Sequence, residues 1–324
     1  MQPRFFKTFA VVVAGSAVLA ACSSGAGSQG FSPSAALTSG HGFSLKPGAV
    51  AQPDRSRSWM KPDVAGGALL YVSDAETYDV YVYSWPKLKA AGTLTGFNGP
   101  SGECSDKKGN VWIVNTYDSN LIEYAHGGTT PIATLNDAGQ YPYSCAVDNA
   151  GDLAVGNIES TTGDAGSVTV YAGGTGSGIN YPDAGVYVSF VGYKQNTLYV
   201  DGSNGGYFSL QSFKKGKFKT VAVSGATINV AGGVQLAKNS LTVGDQLTEG
   251  GTPAIYQMSA SGKITGTTLL NSGACGQYVI DGKLVACPDA SKKNVLVYAY
   301  PAGGTATQTL SGSFADPFAA VVSR

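Results

Sequence analysis

Residues 106–125 read DKKGNVWIVNTYDSNLIEYA, and residues 145–157 read CAVDNAGDLAVGN. In each, an aspartate leads into a tight glycine turn, and an apolar run then ends in an asparagine, Asn115 or Asn157. The first string continues through a short loop into a second apolar run that ends on Tyr124. From Leu69 to the last residue this pattern recurs six times, at a spacing of roughly 43 residues. The apolar runs align at Leu70, Val111, Leu153, Leu198, Leu241 and Leu284. The aromatic column that follows reads Tyr83, Tyr124, Tyr171, Phe213, Met258 and Tyr298.

Each unit divides into four short strands with turns between them. In the second unit these are Pro100 to Asp106, Val111 to Asn115, Leu121 to Tyr124 and Pro131 to Leu135. One such sheet cannot bury its apolar faces alone, so neighbouring copies must pack on each other. The chain enters its first unit at the second strand, Leu69 to Asp74. It ends on Pro317 to Val322, which matches the innermost strands that start at Pro100 and Pro142. The expected fold is therefore all-β: a six-bladed β-propeller of four-stranded antiparallel blades, closed by the C-terminal strand joining the N-terminal blade.

The two quoted strings resemble the NHL-type propeller repeat, in which a strand ends in Asp, a Gly turn follows, and later strands end in Asx and in an aromatic. Gly202 in the fourth unit and Met258 in the fifth depart from that pattern. Propellers of this general look include calcium-dependent lactonases, carbon–oxygen lyases acting on cyclic or sugar-like substrates, and lyases of amidated peptides. The resemblance implies the fold and leaves the activity open.

Residues 1–21 read as a signal peptide: Arg4 and Lys7 form a basic start, and Phe9 to Leu19 is an apolar stretch short for a membrane span. Leu19-Ala20-Ala21-Cys22 resembles the lipobox of bacterial lipoproteins, which implies lipidation of Cys22 and a membrane anchor facing periplasm or exterior. Residues 22–65 read as a Ser/Gly/Ala/Pro tether, with Trp59 and Met60 packing on the domain edge, and 66–324 as the propeller. The GxGxxG string Gly25 to Gly30 sits in that tether, follows no strand of the mature protein and is not a nucleotide site. Zero net charge argues against a nucleic-acid partner.

Four cysteines follow Cys22 and allow three connectivities. Counted from Pro100 and Pro142, Cys104 and Cys145 differ by one in strand parity and so point toward each other between blades. Cys275 and Cys287 flank the Asp281-Gly282 turn almost symmetrically. Cys104–Cys145 and Cys275–Cys287 are the expected disulfides, with four free thiols as the alternative.

With only His41 and His126, a histidine triad, dyad or metal cluster has no basis, and no catalytic motif occurs. The Asx column Asp74, Asn115, Asn157 and Asp245 is expected to cap strand ends. In a propeller, turns alternate between two faces, and 12 of 14 propeller lysines fall in turns of one of them. On the opposite face lie acids including Glu76, Asp79, Asp118, Asp137, Glu159, Asp164, Asp183, Glu249 and Asp316, and the aromatics Tyr78, Tyr117, Tyr141, Tyr181 and Tyr207. The ligand-face candidates are Glu103, Tyr117, Asp118, Tyr141, Tyr181 and Asp183, with no catalytic or metal residue assigned. The expected function is a non-catalytic, lipid-anchored binding or protein-interaction module of the cell envelope, with an envelope protein or polysaccharide as partner. The alternative is a lyase or lactonase-like hydrolase built around Glu103, Asn115 and Asn157, for which calcium is the only cofactor in view. The lysine-rich face is suited to anionic lipid headgroups or cell-wall polymer.

Overall fold

The computed structural model describes residues 57–324. The signal peptide, Cys22, the Gly25 to Gly30 string and His41 lie outside the described residues. Six antiparallel sheets form the ring. Blade 2 is Pro100–Ser105, Val111–Asn115, Asn120–Tyr124 and Pro131–Asn136, in that order from the axis outward. Blades 3 to 6 repeat the layout from Gln140, Val186, Ala231 and Val279. Blade 1 takes its innermost strand, Pro317–Ser323, from the C-terminus, which pairs antiparallel with Leu69–Asp74. A further strand, Trp59–Met60, pairs with Ala90–Leu94 on the outer edge of blade 1. The stretch read as tether thus ends inside the sheet and not at residue 65.

Why these runs make blades follows from strand geometry. Successive side chains alternate between faces. Val111 and Ile113 pack with Tyr71, Val80 and Val82 of blade 1, whereas Trp112 and Val114 pack with Leu153, Val155 and Tyr171 of blade 3. Both faces of a second strand are buried, so it reads as an unbroken apolar run. The column Tyr83, Tyr124, Tyr171, Phe213, Met258 and Tyr298 is buried throughout. Burial of a side chain such as Phe213 or Met258 contributes roughly 1.5–3 kcal/mol.

Register corrects the repeat alignment in blade 6 and upholds it in blade 4. Tyr298 stands opposite Val285, not Leu284, so the strand-end Asx of blade 6 is Asp289. In blade 4, Gly202 does hold the Asx position, because a side chain there would strike the backbone of Tyr187. Asp201, one residue earlier, accepts the Phe190 amide at 2.8 Å inside a bulge of the innermost strand.

Cys104–Cys145 joins the innermost strands of blades 2 and 3, and Cys275–Cys287 ties the approach to blade 6 to its second strand. Near the axis the innermost strands run close together. A Cβ on Gly192 of blade 4 would lie 2.3 Å from the carbonyl oxygen of Val234 in blade 5, so only glycine fits.

Candidate functional site

The Asx column does structural work. Asp74 accepts the amides of Glu76 and Thr77 beyond its own strand, and those of Ala315 and Asp316 in the segment entering the closing strand. Asn115 accepts Asn98, Asp245 accepts Asn229 and Val230, and Asp289 accepts Gly273. In four blades, then, the residue ending the second strand holds the loop that leads into the innermost strand of the same blade. Asn157 differs, donating to the hydroxyls of Ser167 and Thr169.

Across the axis, three aromatic rings meet. Tyr143 of blade 3 lies 4.8 Å from Phe318 of blade 1 and 5.7 Å from Phe190 of blade 4, and Phe190 and Phe318 stack at 6.0 Å. All three are buried. Because blades 1 and 4 are opposite one another, these rings plug the channel. The sequence reading missed them, although Tyr143 and Phe318 each directly follow a proline of the aligned column. Below the plug a pit of about 290 Å³ opens on the face where innermost strands end, lined by residues of all six blades. The Gln277 side chain there accepts the Glu103 amide at 3.2 Å and donates to the Glu103 carbonyl.

Glu103 is not on the acid-bearing face. It shares its strand face with Ser105, whose hydroxyl donates to Val322, so its side chain turns toward blade 1. Both carboxylate oxygens are buried without a hydrogen-bond partner, and burial raises the pKa well above 4.5. Asn115 and Asn157 are engaged elsewhere and do not meet it. The innermost strands also contain a second acid, Asp281, which takes the Trp85 indole and Arg324. Among the described residues, no group of three or more His, Cys, Asp or Glu gathers.

Tyr181 also leaves the face. It packs edge-on against Phe213 at 5.1 Å, within the seam between blades 3 and 4. Asp183 is buried and accepts the Gln211 amide at 2.7 Å, and burial raises its pKa with Gln211 offsetting in part. Of the acids assigned to this face, Asp79, Asp137, Glu159 and Asp183 are buried, and Glu76, Asp118, Asp164 and Glu249 are exposed. Burial pushes Asp137 up to about 6, against hydrogen bonds from Thr169 and Asn157. Asp316 also rises to about 6, first by burial and then by the charges of Asp74 and Glu76.

Three candidates do come together. Tyr117 and Tyr141 meet edge-to-face at 6.4 Å on blades 2 and 3, and Asp118 accepts the side-chain amides of Asn98 and Asn115 beside them. Tyr117, Tyr141, Tyr187 and Phe208 all rest half-buried on the core cluster that contains the plug. Tyr207 next to them is 80% exposed. The face therefore presents an aromatic arc over blades 2 to 4, with few exposed charges.

No protein-family model matches the chain, and no curated protein matches it. Among solved structures, a chain of the crystal structure of a nidogen/laminin complex is similar, with a TM-score of 0.65 at 10% identity. The match covers 80% of this chain and 99% of that one. At this identity the likeness speaks for the propeller fold alone.

Proposed function

We propose that this propeller is a non-catalytic binding module of a bacterial cell envelope, held by a lipid on Cys22, whose partner seats on the aromatic arc of blades 2 to 4. The observation that carries the reading is the tyrosine-rich arc itself, set on the buried cluster that holds Tyr143, Phe190 and Phe318. Tyrosines on a rigid support give large contact area at small entropic cost, which suits recognition of a protein or polysaccharide. Asn115 is bound into a cap and Asn157 to the hydroxyls of Ser167 and Thr169, while Glu103 is buried apart from both, which favours binding over turnover. In the nidogen/laminin complex the partner is a protein, and a protein partner is the form of the proposal we test. Within propellers, the Asp–Gly-turn–Asx–aromatic pattern supports the NHL type.

A photo-crosslinking side chain placed at Tyr117 should capture a discrete envelope protein in intact cells, and one placed at Lys87 on the other face should capture no protein. Loss of the Tyr117 adduct in Tyr141→Ser, with an unchanged melting temperature, completes the expected result. Equal adducts from both faces would overturn the assignment.

A further inference from the structure

We infer that the lysine-bearing face is a docking surface for anionic lipid headgroups, which turns the aromatic arc away from the bilayer. This orientation rests on the anchored-module reading, and the lipid contact itself does not. Twelve lysines, from Lys87 to Lys283, lie in or beside turns that join first to second and third to fourth strands. Antiparallel topology puts all of these turns at one end of the ring. Eleven of them are exposed and the twelfth, Lys194, is half-buried. Among the described residues, none of the twelve is in an ion pair.

The acids at this end are already committed. Asp106 accepts the amides of Lys108 and Asn110, Asp148 those of Ala150 and Asp152, and Asp281 pairs with Arg324. Asp152 holds Gly173, and Glu123 accepts from Asn110. Turn amides and Arg324 thus occupy these carboxylates, which the twelve lysines outnumber, and the lysines are left without an acidic partner, Lys107 donating to the Asn149 carbonyl. The densest group is Lys214, Lys215, Lys217 and Lys219, on the outer hairpin of blade 4, with Gly216 in the turn at φ 75°. Phe213 and Phe218 pack at 4.8 Å and stiffen that hairpin.

Each lysine that reaches an anionic bilayer adds about fivefold to the partition coefficient, over a range of about one Debye length. Several turns at one end of the ring can engage together, whereas a single basic loop could not.

The full chain carrying Cys22→Ser, which has no lipid, measures the contact without the anchor. It should co-sediment with vesicles containing phosphatidylglycerol and not with pure phosphatidylcholine, and about 1 M salt should release it. Lys214→Gln, Lys215→Gln, Lys217→Gln and Lys219→Gln together should lower partitioning at least about tenfold. Lys107→Gln with Lys108→Gln, on a separate blade, should lower it by a smaller factor. Lys292→Gln with Lys293→Gln, on the opposite face, should leave it unchanged. Equal binding to neutral vesicles, capture by a soluble anionic polymer but not by vesicles, or indifference to the blade 4 and blade 2 substitutions would overturn the inference. None of these outcomes touches the crosslinking result at Tyr117, so the two proposals fail separately.

Discussion

Glu103 is buried, and neither carboxylate oxygen has a partner. A free glutamate in the unfolded chain ionises near pH 4.3, while burial keeps the folded group protonated to higher pH. The stability it contributes is present below its unfolded pKa and is lost as pH rises through the folded one. Glu103→Gln should therefore match the parent in stability near pH 4 and exceed it near pH 8, by roughly 1–3 kcal/mol. A lower melting temperature for Glu103→Gln near pH 8, measured by calorimetry, would mean that the ionised carboxylate has a stabilising partner. The sequence marks Glu103 as unusual, an acid within an innermost strand, but it does not reveal which way the side chain turns. Tyr181 and Asp183 make the same point. Their partners Phe213 and Gln211 lie about 30 residues onward in another blade, and local spacing carries no trace of that contact. Tyr117, Asp118 and Tyr141 stay on the face because their strands end there and the loops are short.

Strands and their order are far easier to read than side-chain fates. Burial of both faces forces an apolar run in every second strand, and each blade repeats that run. The slip at Leu284 and Val285 arose because both are apolar, and only the pairing of Val285 with Tyr298 fixes the register. Strand parity located Cys104–Cys145 and symmetry about the Asp281-Gly282 turn located Cys275–Cys287, whose Cα atoms lie 5.6 and 5.2 Å apart. The sequence separations are 41 and 12 residues, so the first bridge restrains the unfolded chain more. In the chain-entropy account, loss of the longer loop costs about 4 kcal/mol and of the shorter about 3. Cys104→Ser with Cys145→Ser should lower the denaturation midpoint more than Cys275→Ser with Cys287→Ser, in urea titrations at equal ionic strength. The reverse order would show that native contacts around Cys275 outweigh loop entropy.

At the scale of the ring, the division of charge and the closure were both readable. Lysines favour exposed tight turns, and the order of the repeat assigns each turn to an end. What composition conceals is that half of the acids at the opposite end are buried as caps and clamps, so that end is aromatic more than acidic. Closure depends on one segment. Pro317–Ser323 is buried along its length, supplies Phe318 to the axial plug, and forms the ladder on Leu69–Asp74. Asp281 of blade 6 holds Trp85 of blade 1 at 2.6 Å and Arg324 at 2.5 Å, a small clasp over the same joint. The Arg324–Asp281 pair is exposed, so Arg324→Ala should cost under about 1 kcal/mol. Deletion of residues 317–324 is a different matter. It leaves the apolar strand Leu69–Asp74 as an open edge, unplugs the channel and removes backbone bonds that no other segment supplies. The truncated chain should lose its cooperative near-ultraviolet melting transition and associate through that edge. A peptide spanning residues 314–324, added in trans, should restore a transition whose midpoint rises with peptide concentration, as mass action requires. Parent-like melting of the truncated chain would show that five complete blades and a first blade without its innermost strand hold the ring unaided.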